Sequence, residues 1–220
     1  MRKIRLIKAI TRELNKKIKI SKFPDPIKKL IYLNPIYKTY LIRKGLLCKI
    51  PGCELAIFMS KEQIKTIKKY LKEEDIMLEW GSGGSTAYFS QLVKKYISIE
   101  HNKEWYSIVK KYISKKVELH YIKSNMTPSQ LTKRCEFVDY IEKVNKLNVN
   151  KFNKVLIDGR ARTYCAIEIL PYLDEKSIVF IHDFHVRPRY KSILKYYDLI
   201  EEIKANKGLV VLKPKKTFLS

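Results

Sequence analysis

The segment Leu78-Glu79-Trp80-Gly81-Ser82-Gly83-Gly84-Ser85-Thr86 puts three glycines where an apolar run gives way to a helical one. Glycine there lets the backbone turn sharply and bring N–H groups to a ligand at a helix N-terminus, although tight packing alone also selects it. Gly81 and Gly83 match the first two glycines of a dinucleotide fingerprint, but its third glycine position is Thr86. No Gly-Lys-Ser/Thr follows, which excludes a phosphate-binding P-loop. Four acids, Glu79, Glu100, Asp158 and Asp183, close four apolar runs. Glu100 stands nineteen residues after Gly81, where an acid accepts hydrogen bonds from ribose hydroxyls. With Asp158 and Asp183, His182 forms a group able to take a proton from a hydroxyl. The two aspartates could instead hold a divalent ion, or cap helices around a core histidine. Arg160 and Arg162 follow Asp158, while Arg187 and Arg189 follow Asp183. Two such pairs suggest a rim that grips an anionic acceptor, unless they are simply solvated.

Alternating short elements must position these residues. Ser60-Lys-Glu-Gln63 is a capping box, and Ile64, Ile67 and Leu71 supply the stripe of its helix. Strands are predicted over 76–79, 96–100, 117–122, 154–158 and 177–183. Helices are predicted between them over 86–96, 103–113, 136–147 and 163–173, with another over 188–197. Such alternation means parallel crossovers and a buried sheet with helices on both faces. The last two strands, 199–203 and 209–212, have too short a link for a crossover and must form an antiparallel hairpin.

Forty-six Lys and Arg against 22 Asp and Glu give a charge of +24, which points to nucleic acid, an acidic membrane surface or an anionic substrate as partner. Residues 1–50 hold fifteen of the basic residues and two acids, Glu13 and Asp25. Ile4, Ile7, Leu14 and Ile18 suggest a basic amphipathic helix over residues 3–20. Residues 1–58 read as a basic, Tyr-rich extension serving as lid or docking segment, and 59–220 as the main domain. There is no run of 18 apolar residues to span a membrane and no signal-peptide pattern. Cys48, Cys53, Cys135 and Cys165 include no CxxC pair, so reduced thiols and a cytoplasmic location are expected.

The stretch 76–101 resembles motif I and the following acidic strand of class I S-adenosylmethionine-dependent methyltransferases, and the final hairpin is similar to their 3-2-1-4-5-7-6 sheet. Glu79-Trp-Gly-Ser-Gly-Gly-Ser-Thr86, Ser98-Ile-Glu-His101, Ile157-Asp-Gly-Arg-Ala-Arg162 and Phe180-Ile-His-Asp183 look like a subgroup of small methyltransferases, related to sugar O-methyltransferases. The resemblance implies a Rossmann-like α/β fold and S-adenosylmethionine as cofactor. Gly81, Ser82 and Gly83 would lie against its methionine part, with Ser85 and Thr86 at the helix start and Glu79 near its ammonium. Glu100 would hold the ribose and His101 would flank the adenine, with Asn125 the candidate amide after the third strand. The activity implied is O-methylation of a sugar hydroxyl of a glycan, with Asp158, His182 and Asp183 catalytic and Asp158 and Asp183 the ligands of any metal. An RNA methyltransferase is the alternative that the basic extension favours, although no Asn-Pro-Pro-Tyr-type motif or RNA-binding module is seen. A non-catalytic binder of nucleic acid or membrane surfaces is the second alternative.

Overall fold

The computed structural model describes residues 55–129, 132–205 and 207–219. The helix expected over residues 3–20 and the cysteines Cys48 and Cys53 lie outside them. Cys135 and Cys165 are free thiols.

Helix α1 (Lys61–Tyr70) opens on the expected capping box: Gln63 N donates to Ser60 Oγ at 3.2 Å, and Ser60 N donates to Gln63 Oε1 at 2.9 Å. Five parallel strands follow: β1 (Ile76–Trp80), β2 (Lys95–Glu100), β3 (Val117–Tyr121), β4 (Lys154–Ile157) and β5 (Ile178–His182). β6 (Tyr197–Ile203) and β7 (Leu209–Pro214) pair antiparallel as the hairpin, and β7 also lies antiparallel to β5. The sheet order is β3-β2-β1-β4-β5-β7-β6, as expected. The strand order reverses between β1 and β4, so a crevice opens above their carboxyl ends.

Side chains alternate across the sheet with period two. Leu78, Trp80, Val155, Ile157, Val179 and Ile181 meet α4 (Val138–Glu142) and α5 (Arg162–Glu168) through Tyr140, Ile141, Cys165 and Ala166. On the other face, Met77, Leu156, Phe180 and Val211 meet Ile64 and Ile67 of α1 and Phe89 of α2 (Gly84–Phe89). Leu55, Ala56 and Ile57, which the sequence reading placed in the extension, are buried, as is Met59.

The helices are shorter than their periodicity suggested. α2 ends at Phe89 rather than near 96, and α3 spans Lys103–Val109. The helix expected over 136–147 is broken, because Phe137 has a non-helical ψ of 26° with φ −139° and separates a 3-10 turn from α4. Pro171 lies in a separate 3-10 turn beyond α5, where its missing N–H would disrupt an α-helix. Residues Pro188–Lys195 form a 3-10 helix, and β6 starts two residues earlier than expected.

At the amino end of the sheet Lys154 and Asp75 form a buried ion pair at 3.0 Å, and Asp75 Oδ2 also accepts from Lys72 N at 2.7 Å. Breaking such a pair leaves an uncompensated buried charge. Asp75→Asn is expected to destabilise the fold by about 3–5 kcal/mol in urea unfolding, and the double variant Asp75→Asn/Lys154→Met to recover most of that loss.

Candidate functional site

The glycine loop after β1 is tied down residue by residue. Gly81 N donates to Ile99 O at 2.9 Å, Ser82 N to Glu100 Oε2 at 3.1 Å, and Gly83 N to Thr86 Oγ1 at 2.8 Å. These three consecutive amides therefore have partners within the protein, and none of the three is left over to cradle a phosphate. Gly81 has φ +97°, and a Cβ there would stand 2.5 Å from Gly159 N, so the loops after β1 and β4 meet backbone to backbone. Only glycine permits that approach.

Beneath the loop, Glu79 is fully buried and accepts from Ser85 Oγ and Thr86 Oγ1, each at 2.5 Å, and from Ser98 Oγ at 2.8 Å. Ser98 is its register partner on β2, which puts both side chains on one face of the sheet. Burial pushes the Glu79 carboxyl up to about 7, while the three hydroxyl hydrogen bonds pull it the other way. Glu100, at the end of β2, also accepts from Ser82 Oγ at 3.2 Å and from Asn102 N at 2.7 Å. His101 Nδ1 lies 3.0 Å from Glu100 Oε1, and its ring packs edge-on against Phe137 and Tyr140. Trp105 Nε1 closes the loop from above by donating to Ser82 O at 2.6 Å.

At the ends of β4 and β5 the structure brings Asp158, His182 and Asp183 together. His182 Nδ1 lies 2.8 Å from Asp158 Oδ1 and 3.7 Å from Asp183 Oδ1. Its Nε2 is buried without a hydrogen-bond partner among the described residues. Arg162, expected on the rim, turns inward and is nearly buried. Its guanidinium donates to Gly159 O at 2.9 Å, to Asp158 O at 3.0 Å and to His182 O, and Nη2 lies 3.3 Å from both Asp158 Oδ1 and Asp183 Oδ2. Burial pushes the Asp158 carboxyl up, but the hydrogen bond from His182 and the Arg162 guanidinium outweigh it and leave it below the usual range.

The ligand atoms of Asp158, His182 and Asp183 lie within 4.8 Å of one another, and their types suit a divalent ion. A cation already stands between them, however. Two unit charges about 4 Å apart interact by about 4 kcal/mol at an effective dielectric near 20, and a divalent ion would face twice that repulsion from a guanidinium that three carbonyls hold in place. The residues present do not fit a metal.

One cavity of about 620 Å³ spans both halves of the site, within the range of small-molecule pockets. Gly81, Ser82, Gly83, Ser85, Glu100 and His101 line one half, and Asp158, Arg160, Arg162, Asp183 and Arg187 the other. Glu79, Thr86 and His182 do not line it. The first two are turned under the loop by their mutual hydrogen bond, and His182 reaches the cavity only through Asp158. Arg189 also lies outside the wall and is exposed, its guanidinium 5.9 Å from the Tyr190 ring. Asn125 bonds Asp139 through both its amide nitrogen and its oxygen and is likewise outside. The sequence reading missed Ile57, Phe58, Trp105, Thr132, Tyr190 and Lys207, all in the wall. Of these only Trp105 had a signal, lying one turn beyond Asn102, whose Oδ1 accepts its N–H at 2.9 Å and caps α3.

A seven-stranded sheet in this order, with a glycine loop after its first strand and an acid closing its second, defines the fold of the class I S-adenosylmethionine-dependent methyltransferases. No family model matches the chain, and no curated protein matches it in sequence. Among solved structures, a methyltransferase-like protein from Silicibacter pomeroyi is 19% identical, with a TM-score of 0.55 over 72% of this chain and 89% of its own. A precorrin-6y C5,15-methyltransferase from Geobacter metallireducens is 13% identical, with a TM-score of 0.52 over 77% and 94%. A TehB-like S-adenosylmethionine-dependent methyltransferase from Corynebacterium glutamicum is 11% identical, with a TM-score of 0.50 over 81% and 94%.

Glu79 makes stability depend on pH in a defined direction. An acid whose pKa rises on folding stabilises the native state fully below its unfolded value of 4.5, and that contribution is lost as the pH rises through about 7. Relative to Glu79→Gln, the wild type is expected to lose about 3 kcal/mol of unfolding free energy between about pH 4 and pH 8. Paired urea titrations across that range provide the check.

Proposed function

We propose that the protein is an S-adenosylmethionine-dependent methyltransferase that methylates a hydroxyl of an anionic acceptor, a sugar hydroxyl of a glycan being the leading case. The observation that carries this reading is the continuous cavity from the glycine loop and Glu100 to Asp158 and Asp183. Its first half suits a ligand with hydroxyls and no phosphate, because the amides of Gly81, Ser82 and Gly83 are already paired and a buried carboxylate faces the space. Ser82 and Asn102 already take three of the four lone pairs of Glu100, so Glu100 would hold the ribose by exchange, a ribose hydroxyl taking the place of the Ser82 hydroxyl now at 3.2 Å. Gly81–Gly83 would lie along the methionine part, and His101 beside the adenine. When bound, the cofactor supplies an electrophilic methyl group on a sulfonium.

The second half orients the acceptor. Asp158 faces the cavity with His182 at its back, so an acceptor hydroxyl bonded to Asp158 can pass its proton to the Asp158–His182 pair as the oxygen attacks. Arg160, Arg187 and Lys207 supply positive charge to the same wall, which favours an acceptor with a phosphate or carboxylate. RNA is the second reading, favoured by the fifteen basic residues among the first fifty.

Calorimetric titration with S-adenosylhomocysteine should give one site in the wild type and at least a tenfold weaker one in Glu100→Ala. Transfer of labelled methyl from the cofactor to a saccharide fraction, and none to RNA, supports the glycan reading; label on RNA reverses that order. Absence of cofactor uptake by the wild type overturns the enzyme assignment altogether and leaves the non-catalytic binder.

A further inference from the structure

The cluster that looks most like a metal centre contains a positive group of its own. We infer that Arg162 is the resident cation at the carboxyl ends of β4 and β5, occupying the position that a divalent ion would need and making this a metal-excluding acid pair. Each arm of the guanidinium is committed: Nε to Gly159 O, Nη1 to His182 O, and Nη2 to Asp158 O and to both carboxylates. The group links the two loops that carry the acids, so it cannot swing aside for an ion without releasing both.

Charge gives the same answer. Asp158 and Asp183 bring two negative charges, while Arg162 at 3.3 Å and Lys207 at 4.0 Å from Asp183 bring two positive ones. His182 Nδ1 takes up Asp158 Oδ1 at 2.8 Å. The acids are neutralised before any ion arrives, whereas a carboxylate metal site depends on uncompensated negative charge. Arg162 thus holds Asp158 and Asp183 in place where an ion would otherwise do so. The inference concerns this chain's own charges and does not depend on the donor or the acceptor.

Manganese alone is the probe, with free Mn²⁺ counted by electron paramagnetic resonance in the absence of cofactor. The wild type and Arg162→Lys should leave the ion free. Arg162→Met should take up one equivalent at least tenfold more tightly than the wild type, and Asp183→Asn in that background should abolish the uptake. A folded Arg162→Met protein that binds no more manganese than the wild type overturns the inference. So does a wild type that binds one equivalent and loses it on Asp158→Asn or Asp183→Asn. Should Arg162→Met fail to fold by circular dichroism, this second comparison decides: equal, negligible uptake by the wild type and the aspartate variants supports the inference.

Discussion

Two buried carboxylates flanking one glycine loop set the character of the whole cleft. Glu79 lies under the loop and Glu100 beside it, and between them they engage the hydroxyls of Ser82, Ser85, Thr86 and Ser98. Thr86 passes the constraint on, since it donates to Glu79 while accepting from Gly83 N. The loop therefore turns its polar groups inward, toward the protein. A buried ionised group is costly unless hydrogen-bonded, and these short-range partners are what make burial of Glu79 and Glu100 tolerable. The consequence for binding is selective: a phosphate finds the amides of Gly81, Ser82 and Gly83 already paired and a repelling carboxylate, whereas a neutral diol can replace the Ser82 hydroxyl on Glu100.

The second half of the cleft solves the opposite electrostatic problem. There the acids stand at the cavity wall, and the balancing charge comes from Arg162, folded in between them at the same wall. Arg162 can reach Asp158, Asp183 and three carbonyls because the chain reverses at Ala161 and at Asp183, with φ of 52° and 54°. Left-handed backbone at residues other than glycine costs on the order of 1–3 kcal/mol each and persists only where the surroundings fix it. Five contacts from one guanidinium are such a surrounding. Strain and ion pairing are parts of one arrangement, and neither would survive alone.

This division also explains which parts of the molecule were legible in the sequence. The alternation of apolar runs, the hairpin and the glycine loop are local patterns, so a mostly parallel sheet with a terminal antiparallel hairpin followed from them, while the strand order rested on the resemblance to class I methyltransferases. The acids at the strand ends were visible for the same reason: a charge closing an apolar run leaves few places for it to go. The orientation of Glu79 was not legible, because it depends on hydroxyls in α2 and β2 that meet only after the strands pair. Ser98 carried a faint signal as the polar residue on the buried face of β2, directly opposite Glu79 in register. The inward turn of Arg162 had none, since nothing in Gly159-Arg160-Ala161-Arg162 distinguishes the arginine that faces solvent from the one that does not. Short helices were overextended for a related reason, as periodicity continues through 3-10 turns and non-helical residues that only the dihedral angles expose.

A fixed guanidinium in place of an exchangeable ion changes how an acceptor can be recognised. A metal selects for oxygens placed to chelate it and orders them by its own coordination geometry. Arg162 cannot do this, because its donors are spent on carbonyls and carboxylates of the protein. Positive charge at the wall comes also from Arg160, Arg187 and Lys207, with Tyr190 and Val186 offering apolar surface beside them. Charge attracts over a longer range than chelation and demands less of the acceptor's local geometry. If the proposed reaction is the right one, such a wall favours an acceptor whose anionic group lies apart from the hydroxyl to be methylated, held by one part of the cleft while Asp158 aligns another.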